Sequence, residues 1–259
     1  MTAAVRLAHR EEGPAHGPPV VLAPSLGTTL ELWDGLAAAA LVEHYRVVRF
    51  DTRGHGGSPA PAGPYTVSEL AGDVVRLADE LGLDRFAVVG LSLGGAIGQL
   101  LALEHPERLT ALVLCCTVPK FGESSGWRDR AAQVRAEGMQ VLAEPTRGRW
   151  FTDEFRDRHP DTVERLLAML TGTPVEGYAA CCEALAAFDV RTELHRVGVP
   201  TRVIAAEHDG AAPVDEVRDL CARIPGADLV VLDGVSHIAN VAAPERFDEA
   251  VLQHLKGSL

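Results

Sequence analysis

The sequence predicts an α/β protein built on a mostly parallel, doubly wound sheet with an inserted helical cap. Three observations favour this fold: short β-branched runs recur along the chain, amphipathic helical stretches lie between most of them, and one long segment lacks strand patterns. A chain of 259 residues can hold one domain with such an insertion. Its apolar fraction of 47% and charged fraction of 23% exclude a disordered or fibrous protein.

Six short apolar runs have the pattern of strands buried in a parallel sheet, each bounded by Gly, Pro or Asp. They span residues 20–23, 47–51, 86–89, 112–115, 202–205 and 229–232. Between the second and third runs, the stretch 66–81 places Val67, Leu70, Val74 and Leu77 on one helical face. This alternation of strand and helix indicates βαβ units.

The segment 121–197 interrupts the alternation. It contains helical patterns, such as those at 161–170 and 175–188, but no convincing strand. We therefore expect residues 1–120 and 198–259 to form the core, with residues 121–197 inserted as a helical cap.

A candidate nucleophile follows the third predicted strand. The sequence GLSLGG places a G-x-S-x-G motif, with Ser92 at its centre, between a strand and a helical stretch. Gly90 and Gly94 suit this position because a side chain there would collide across the sharp turn. A serine hydroxyl needs an adjacent base, normally an imidazole oriented by a carboxylate, so we expect an acid and a histidine downstream.

The acid is expected directly after the run 202–205, at the carboxyl edge of the sheet. Asp209 fits this position best. Glu207 and Asp215 are rivals, although Asp215 is better explained as an acid at the start of the next helix, where it favours the helix dipole.

The base is predicted to be His237, which follows the last predicted strand and precedes the last helix. It completes the chain order Ser, Asp, His that is typical of the α/β-hydrolase fold. His55 is the main alternative, but it precedes the nucleophile and is interpreted as a brace for a turn. His208 adjoins the acid and is expected to point away from it.

Backbone N–H groups are expected to stabilise the negative oxygen formed when Ser92 attacks. The candidates are the N–H of Leu93, directly after the nucleophile, and that of Leu26, in the loop after the first inner strand. Gly27 would permit the tight loop that aims the Leu26 N–H inward.

Several segments resemble those of 3-oxoadipate enol-lactonases over nearly the whole chain. They are PSLGTTLELWD (24–34), RFDTRGHGGSPAPAGPYT (49–66), GLSLGGAIGQ (90–99), HPERLTALVLCCT (105–117) and SHIANVAAPERF (236–247). The resemblance implies an α/β-hydrolase that opens an enol-lactone ring to give 3-oxoadipate in aromatic catabolism, without a metal or organic cofactor. Two positions depart from the family's pattern, where Pro24 replaces an asparagine and Ala242 replaces an acid.

The implied substrate carries a carboxylate, for which Arg128 and Arg130 are candidate partners; the alternative is that both lie on a solvated helix face. Trp127 and Trp150 either wall the substrate pocket or anchor the core of the cap, and Ser25 is also predicted to bind substrate. The alternatives are a carboxylesterase or lactonase of other specificity and, in another class, a ligand receptor that keeps the hydrolase fold.

Net charge, apolar windows and cysteine spacing indicate which classes of partner and which cellular location to expect. A formal net charge of −12 argues against nucleic acid as a partner. The sequence has no apolar window that approaches a membrane span and no signal-like start, so we expect a cytoplasmic protein that acts as a monomer or small homo-oligomer. The five cysteines lack the spacing of a zinc or redox site and are interpreted as core residues.

Overall fold

A computed structural model describes residues 5–35 and 40–258, and its centre is one seven-stranded sheet. The strands are β1 (His9–Glu12), β2 (Pro19–Ala23), β3 (Arg46–Phe50), β4 (Phe86–Leu91), β5 (Leu109–Cys115), β6 (Thr201–Ala206) and β7 (Asp228–Leu232). Their order is β1-β3-β2-β4-β5-β6-β7; β1 runs antiparallel to β3, and all other neighbours are parallel. The predicted mostly parallel α/β fold is confirmed.

All six predicted runs are strands, with bounds that shift by at most three residues. The largest shift is in β5, which begins at Leu109, and the predicted second run is wrong at its end because β3 stops at Phe50. Strand β1 was not predicted. Its residues, HREE, form no apolar face, and Arg10 and Glu11 are exposed at this edge of the sheet.

Ten α-helices have both of their ends within the described residues. They are α1 (Val67–Glu80), α2 (Leu93–Glu104), α3 (Ser124–Glu137), α4 (Ala143–Trp150), α5 (Asp153–Arg158), α6 (Pro160–Thr171), α7 (Val175–Ala187), α8 (Val214–Arg223), α9 (Ala239–Ala242) and α10 (Pro244–Ser258). Helix α1 buries the predicted face, and Thr66 and Glu69 close its first turn as a capping box. Among these helices, none combines the length and apolar composition that crossing a membrane requires.

Helices α3 to α7 all lie between β5 and β6, in the segment where we predicted a cap. Helix α3 packs against α7, and α4 packs against α6. The two ends of the segment meet at an isolated β-bridge between Lys120 and Asp189, beside a hydrogen bond of 3.0 Å from the Val190 N–H to the Pro119 carbonyl. On this basis we propose that 121–197 is the cap and that 1–120 and 198–259 are the core.

The sheet brings the candidate catalytic residues to one edge. Ser25, Ser92, Asp209 and His237 follow β2, β4, β6 and β7, which run parallel to one another. The carboxyl ends of parallel strands meet at the same edge, which is where open α/β sheets bind ligands. Residues far apart in the sequence therefore converge here.

The cysteines are mostly core residues, as interpreted from the sequence. All five belong to the described part of the chain and are free thiols. Cys115, Cys116, Cys181 and Cys182 are buried, and burial raises the pKa of each well above its usual range. Cys221 is half-buried. These thiols therefore lack the low pKa of reactive cysteines.

Candidate active site

Ser92 lies in a strained turn between β4 and α2. Its backbone has φ 57° and ψ −111°, in the region of positive φ that residues other than glycine rarely adopt. The turn is held by a hydrogen bond of 2.9 Å from the Ser92 N–H to the Cys115 carbonyl and by one of 2.9 Å from the Thr117 hydroxyl to the Ser92 carbonyl. The side chain is thereby fixed at the edge of the sheet.

The glycines of the motif are required by close backbone contacts. A Cβ at Gly90 would collide with the Gly94 carbonyl, and a Cβ at Gly94 would collide with the carbonyl of Ala23 on β2. Neither neighbour is the end of a flexible side chain, so the backbone itself would have to move.

Gly94→Ala is expected to lower the free energy of unfolding by roughly 2–4 kcal/mol, because the added methyl group displaces the β2 backbone. Urea denaturation measures this loss. Gly148→Ala is the control, since Gly148 lies in α4 with open space around it and should gain up to about 1 kcal/mol from better helix propensity. Equal stability of the two variants would contradict the collision at Gly94.

His237 and Asp209 form a buried hydrogen-bonded pair. The Nδ1 of His237 lies 2.8 Å from Oδ2 of Asp209, and neither side chain is more than 4% exposed. The other carboxylate oxygen, Oδ1, accepts hydrogen bonds from the N–H groups of Ala211 at 2.7 Å and Ala212 at 3.0 Å. These bonds fix the carboxylate, and the carboxylate places the proton of the neutral imidazole on Nδ1, which leaves Nε2 as an acceptor.

The rival residues lie elsewhere. The Glu207 carboxylate accepts the Gly234 N–H at 2.7 Å and is exposed, and Asp215 is exposed in the first turn of α8. His208 is exposed beside Glu207. His55 is fully buried in the turn after β3, where its Nδ1 atom lies 3.2 Å from the Arg53 carbonyl.

Ser92 and His237 open on one cavity of about 300 Å³ between the sheet edge and the helical segment. The four residues predicted to bind substrate, Ser25, Trp127, Arg130 and Trp150, also line it. The remaining lining residues are Leu26, Phe121, Gly122, Glu123, Gly126, Thr146, Arg149, Leu170, Tyr178, Gly210 and Ala211. Pro24 and Ala242, the two departures from the enol-lactonase pattern, are not among the lining residues.

The loop after β2 supplies one side of this cavity. Gly27 has φ 76°, and the Thr28 hydroxyl donates to the Ser25 carbonyl at 2.8 Å, so the chain turns back tightly here. Leu26 lines the cavity. Leu93 is buried and is the first residue of α2, so its N–H has no acceptor within the helix. The roles of both N–H groups in stabilising an oxyanion remain predictions.

Two arginines of the helical segment face the cavity. The Arg130 guanidinium lies 4.9 Å from the centre of the Trp127 ring. Arg149 is half-buried, and desolvation, followed by the charge of Arg130, lowers the pKa of its guanidinium. Arg128, the other predicted carboxylate partner, is exposed and does not line the cavity.

Arg149 was missed by the sequence analysis. Its neighbour Arg147, on the same helix, forms ion pairs with Glu144 and Glu164. Within the described residues, no carboxylate is paired with Arg149. The sequence signal that could have singled it out is its position directly before Trp150, which was assigned to the pocket.

Comparison with known proteins identifies the family of this chain. The family model of the alpha/beta hydrolase fold matches residues 18–244. The chain belongs to the α/β-hydrolase family. Together with the enol-lactonase relatives described next, this membership confirms the predicted enzyme of the hydrolase class.

Individual relatives of this α/β-hydrolase are closely similar along its whole length. It is 40% identical to 3-oxoadipate enol-lactonase 2 of Acinetobacter baylyi, over 95% of this chain and 92% of the relative. The crystal structure of the enol-lactonase from Burkholderia xenovorans LB400 matches with a TM-score of 0.95 and 41% identity, over 98% of this chain and 99% of that one. A thermophilic esterase from Thermogutta terrifontis matches with a TM-score of 0.93 and 28% identity, over 98% and 94%. The resemblance to 3-oxoadipate enol-lactonases is confirmed.

Proposed function

We propose that this α/β-hydrolase opens the ring of 3-oxoadipate enol-lactone to give 3-oxoadipate through an acyl-Ser92 intermediate. The observation that carries the proposal is the single cavity that contains Ser92, the Asp209-bonded His237 and two guanidinium groups. The reaction is a step of the β-ketoadipate pathway of aromatic catabolism. We propose a cytoplasmic location for the enzyme.

In the proposed mechanism, the Ser92 hydroxyl attacks the lactone carbonyl while Nε2 of His237 takes its proton. The N–H groups of Leu26 and Leu93 donate to the tetrahedral oxygen. Its collapse breaks the ring C–O bond, and His237 returns the proton to the enol oxygen. The enol becomes a ketone, which makes this step favourable, and a water deprotonated by His237 then releases the acyl group and restores Ser92.

We propose that Arg130 and Arg149 bind the carboxylate of the substrate. Both line the cavity, and a partly buried guanidinium without a carboxylate partner is a strong anion site. The formal net charge of −12 would otherwise repel an anionic substrate, so a local pair of positive charges is needed at the site. Arg128 is not part of this proposal because it lies outside the cavity.

The test is turnover of the enol-lactone compared with p-nitrophenyl acetate and a neutral lactone. The enol-lactone is expected to have the highest kcat/KM, because only it carries the anion that the arginines bind. If the enzyme hydrolyses the plain esters but leaves the enol-lactone intact, the proposal is wrong. The protein is then a carboxylesterase of other specificity.

Arg149→Gln is expected to raise KM for the enol-lactone roughly 10- to 100-fold, because a charged hydrogen bond to the carboxylate is lost. Turnover of p-nitrophenyl acetate, which has no carboxylate, should change by less than about threefold. Arg147→Gln is the matched control on the same helix, and it should leave both activities unchanged. Equal losses on the charged and neutral substrates would contradict the carboxylate site.

A further inference from the structure

A buried histidine holds the loop that carries Leu26. His55 lies in the turn after β3 and is completely inaccessible to solvent. Its Nε2 atom accepts a hydrogen bond of 3.0 Å from the Gly27 N–H, and its Nδ1 atom lies 3.2 Å from the Arg53 carbonyl. The interpretation of His55 as a turn brace does not account for the bond to Gly27, because Gly27 belongs to a different loop.

The two partners determine the state of the ring. A carbonyl only accepts, so Nδ1 carries a proton; a backbone N–H only donates, so Nε2 carries none. Burial lowers the pKa of His55 to about 4, which keeps the ring neutral. The imidazole therefore presents a permanent acceptor to Gly27.

The same turn contacts the loop at a second point. Oδ1 of Asp51 accepts the Leu30 N–H at 2.7 Å, while its Oδ2 accepts the Gly57 N–H at 2.8 Å within the turn. The turn is itself closed by the Ser58 hydroxyl, which donates to the Asp51 carbonyl at 2.6 Å. The loop after β2 is thus tied at Gly27 and Leu30 to a rigid support.

The bond at Gly27 controls the peptide plane next to the proposed oxyanion donor. Only the two backbone dihedrals of Leu26 separate the peptide that carries the Leu26 N–H from the peptide that carries the Gly27 N–H. Gly27 has φ 76° and lacks a Cβ, so without a fixed partner this peptide could rotate at little steric cost. The N–H would also be buried without an acceptor.

We propose that His55 is a positioning residue, which fixes the peptide between Leu26 and Gly27 so that the Leu26 N–H faces the oxygen that becomes negative when Ser92 attacks. The inference rests on the proposed function through the roles of Ser92 and Leu26. It does not depend on which ester or lactone is the substrate.

The test compares His55→Asn with His55→Gln, using p-nitrophenyl acetate. Asparagine places its amide near the position of Nδ1 and cannot reach Gly27, whereas glutamine extends an acceptor toward the position of Nε2. For His55→Asn we expect kcat to fall roughly 10- to 100-fold with KM changed less than about threefold, because a misplaced donor acts on the transition state. For His55→Gln we expect kcat within about fivefold of the wild type.

A trifluoromethyl ketone, which forms an anionic tetrahedral adduct with an active serine, gives a second readout. Its affinity should fall in His55→Asn by the same factor as kcat and recover in His55→Gln. Val74→Ala, on the buried face of α1, is the control for a general loss of stability; it should lower the urea midpoint while kcat stays within about twofold. Unchanged kcat in folded His55→Asn, or kcat that follows the urea midpoint across all three variants, would overturn the proposal.

Further outcomes distinguish failure of this inference from failure of the proposed function. If His55→Asn does not fold, a loss of more than about tenfold in kcat of folded His55→Gln overturns the proposal. If Ser92→Ala retains activity, the proposed function fails, whatever the His55 variants show. An essential Ser92 combined with an unaffected His55→Asn rejects this inference alone.

Discussion

Ser92→Ala is expected to lower kcat by about 10⁴- to 10⁶-fold on both the enol-lactone and p-nitrophenyl acetate. The hydroxyl is the atom that forms the acyl intermediate, and Asp209 already orients the only imidazole found to line the described cavity. Steady-state assays measure the loss, and a fluorophosphonate probe followed by intact-mass analysis measures labelling of the serine. The mass of the variant should not increase after treatment with the probe.

The stability of Ser92→Ala is expected to equal or exceed that of the wild type. Alanine keeps the backbone hydrogen bonds of the turn to Cys115 and from Thr117, because both involve main-chain atoms of residue 92. Ser68→Ala removes a half-buried serine of α1, whose hydroxyl donates to Glu104 and does not line the cavity, and it should retain full turnover and probe labelling. A probe adduct on another residue, or a residual kcat above about a tenth of the wild-type value, would contradict the assignment of Ser92 as the nucleophile.

The core of the fold could be predicted because its strands are buried on both faces. Runs such as 86–89 and 112–115 are continuous and apolar, which distinguishes them from amphipathic helices such as α1. Edge strand β1 gave no such signal, since its stability comes from backbone pairing with β3 rather than from apolar burial. Strand ends were also imprecise, because pairing with neighbouring strands decides where β5 begins.

The candidate catalytic residues could be predicted because their type and chain order are tied to strand ends. Ser92, Asp209 and His237 each follow a parallel strand, so the topology brings them together without knowledge of the side-chain packing. Arg149 and the bond between His55 and Gly27 have no such local signal. The first depends on how α4 lies over the sheet edge, and the second joins loops that are 28 residues apart in sequence.

Asp209→Asn is expected to lower kcat by about 10³- to 10⁴-fold while leaving the fold intact. The structure determines how the asparagine would lie. The N–H groups of Ala211 and Ala212 point at Oδ1, so this position must keep an oxygen, and the amide NH₂ is forced toward His237. Facing a donor, Nδ1 must become the acceptor, and the proton moves to Nε2.

An imidazole with its proton on Nε2 cannot accept the proton of Ser92, and the imidazolium formed during attack would also lose its counter-charge. The acylation rate, measured by stopped flow, should therefore fall by nearly the whole loss of about 10³- to 10⁴-fold expected for kcat, with KM little changed. Asp215→Asn, at the exposed start of α8, is the matched control and should keep wild-type turnover, since it touches neither residue. If Asp209→Asn acylated at the wild-type rate, the buried pair would have only a structural role, and the base for Ser92 would have to be sought elsewhere.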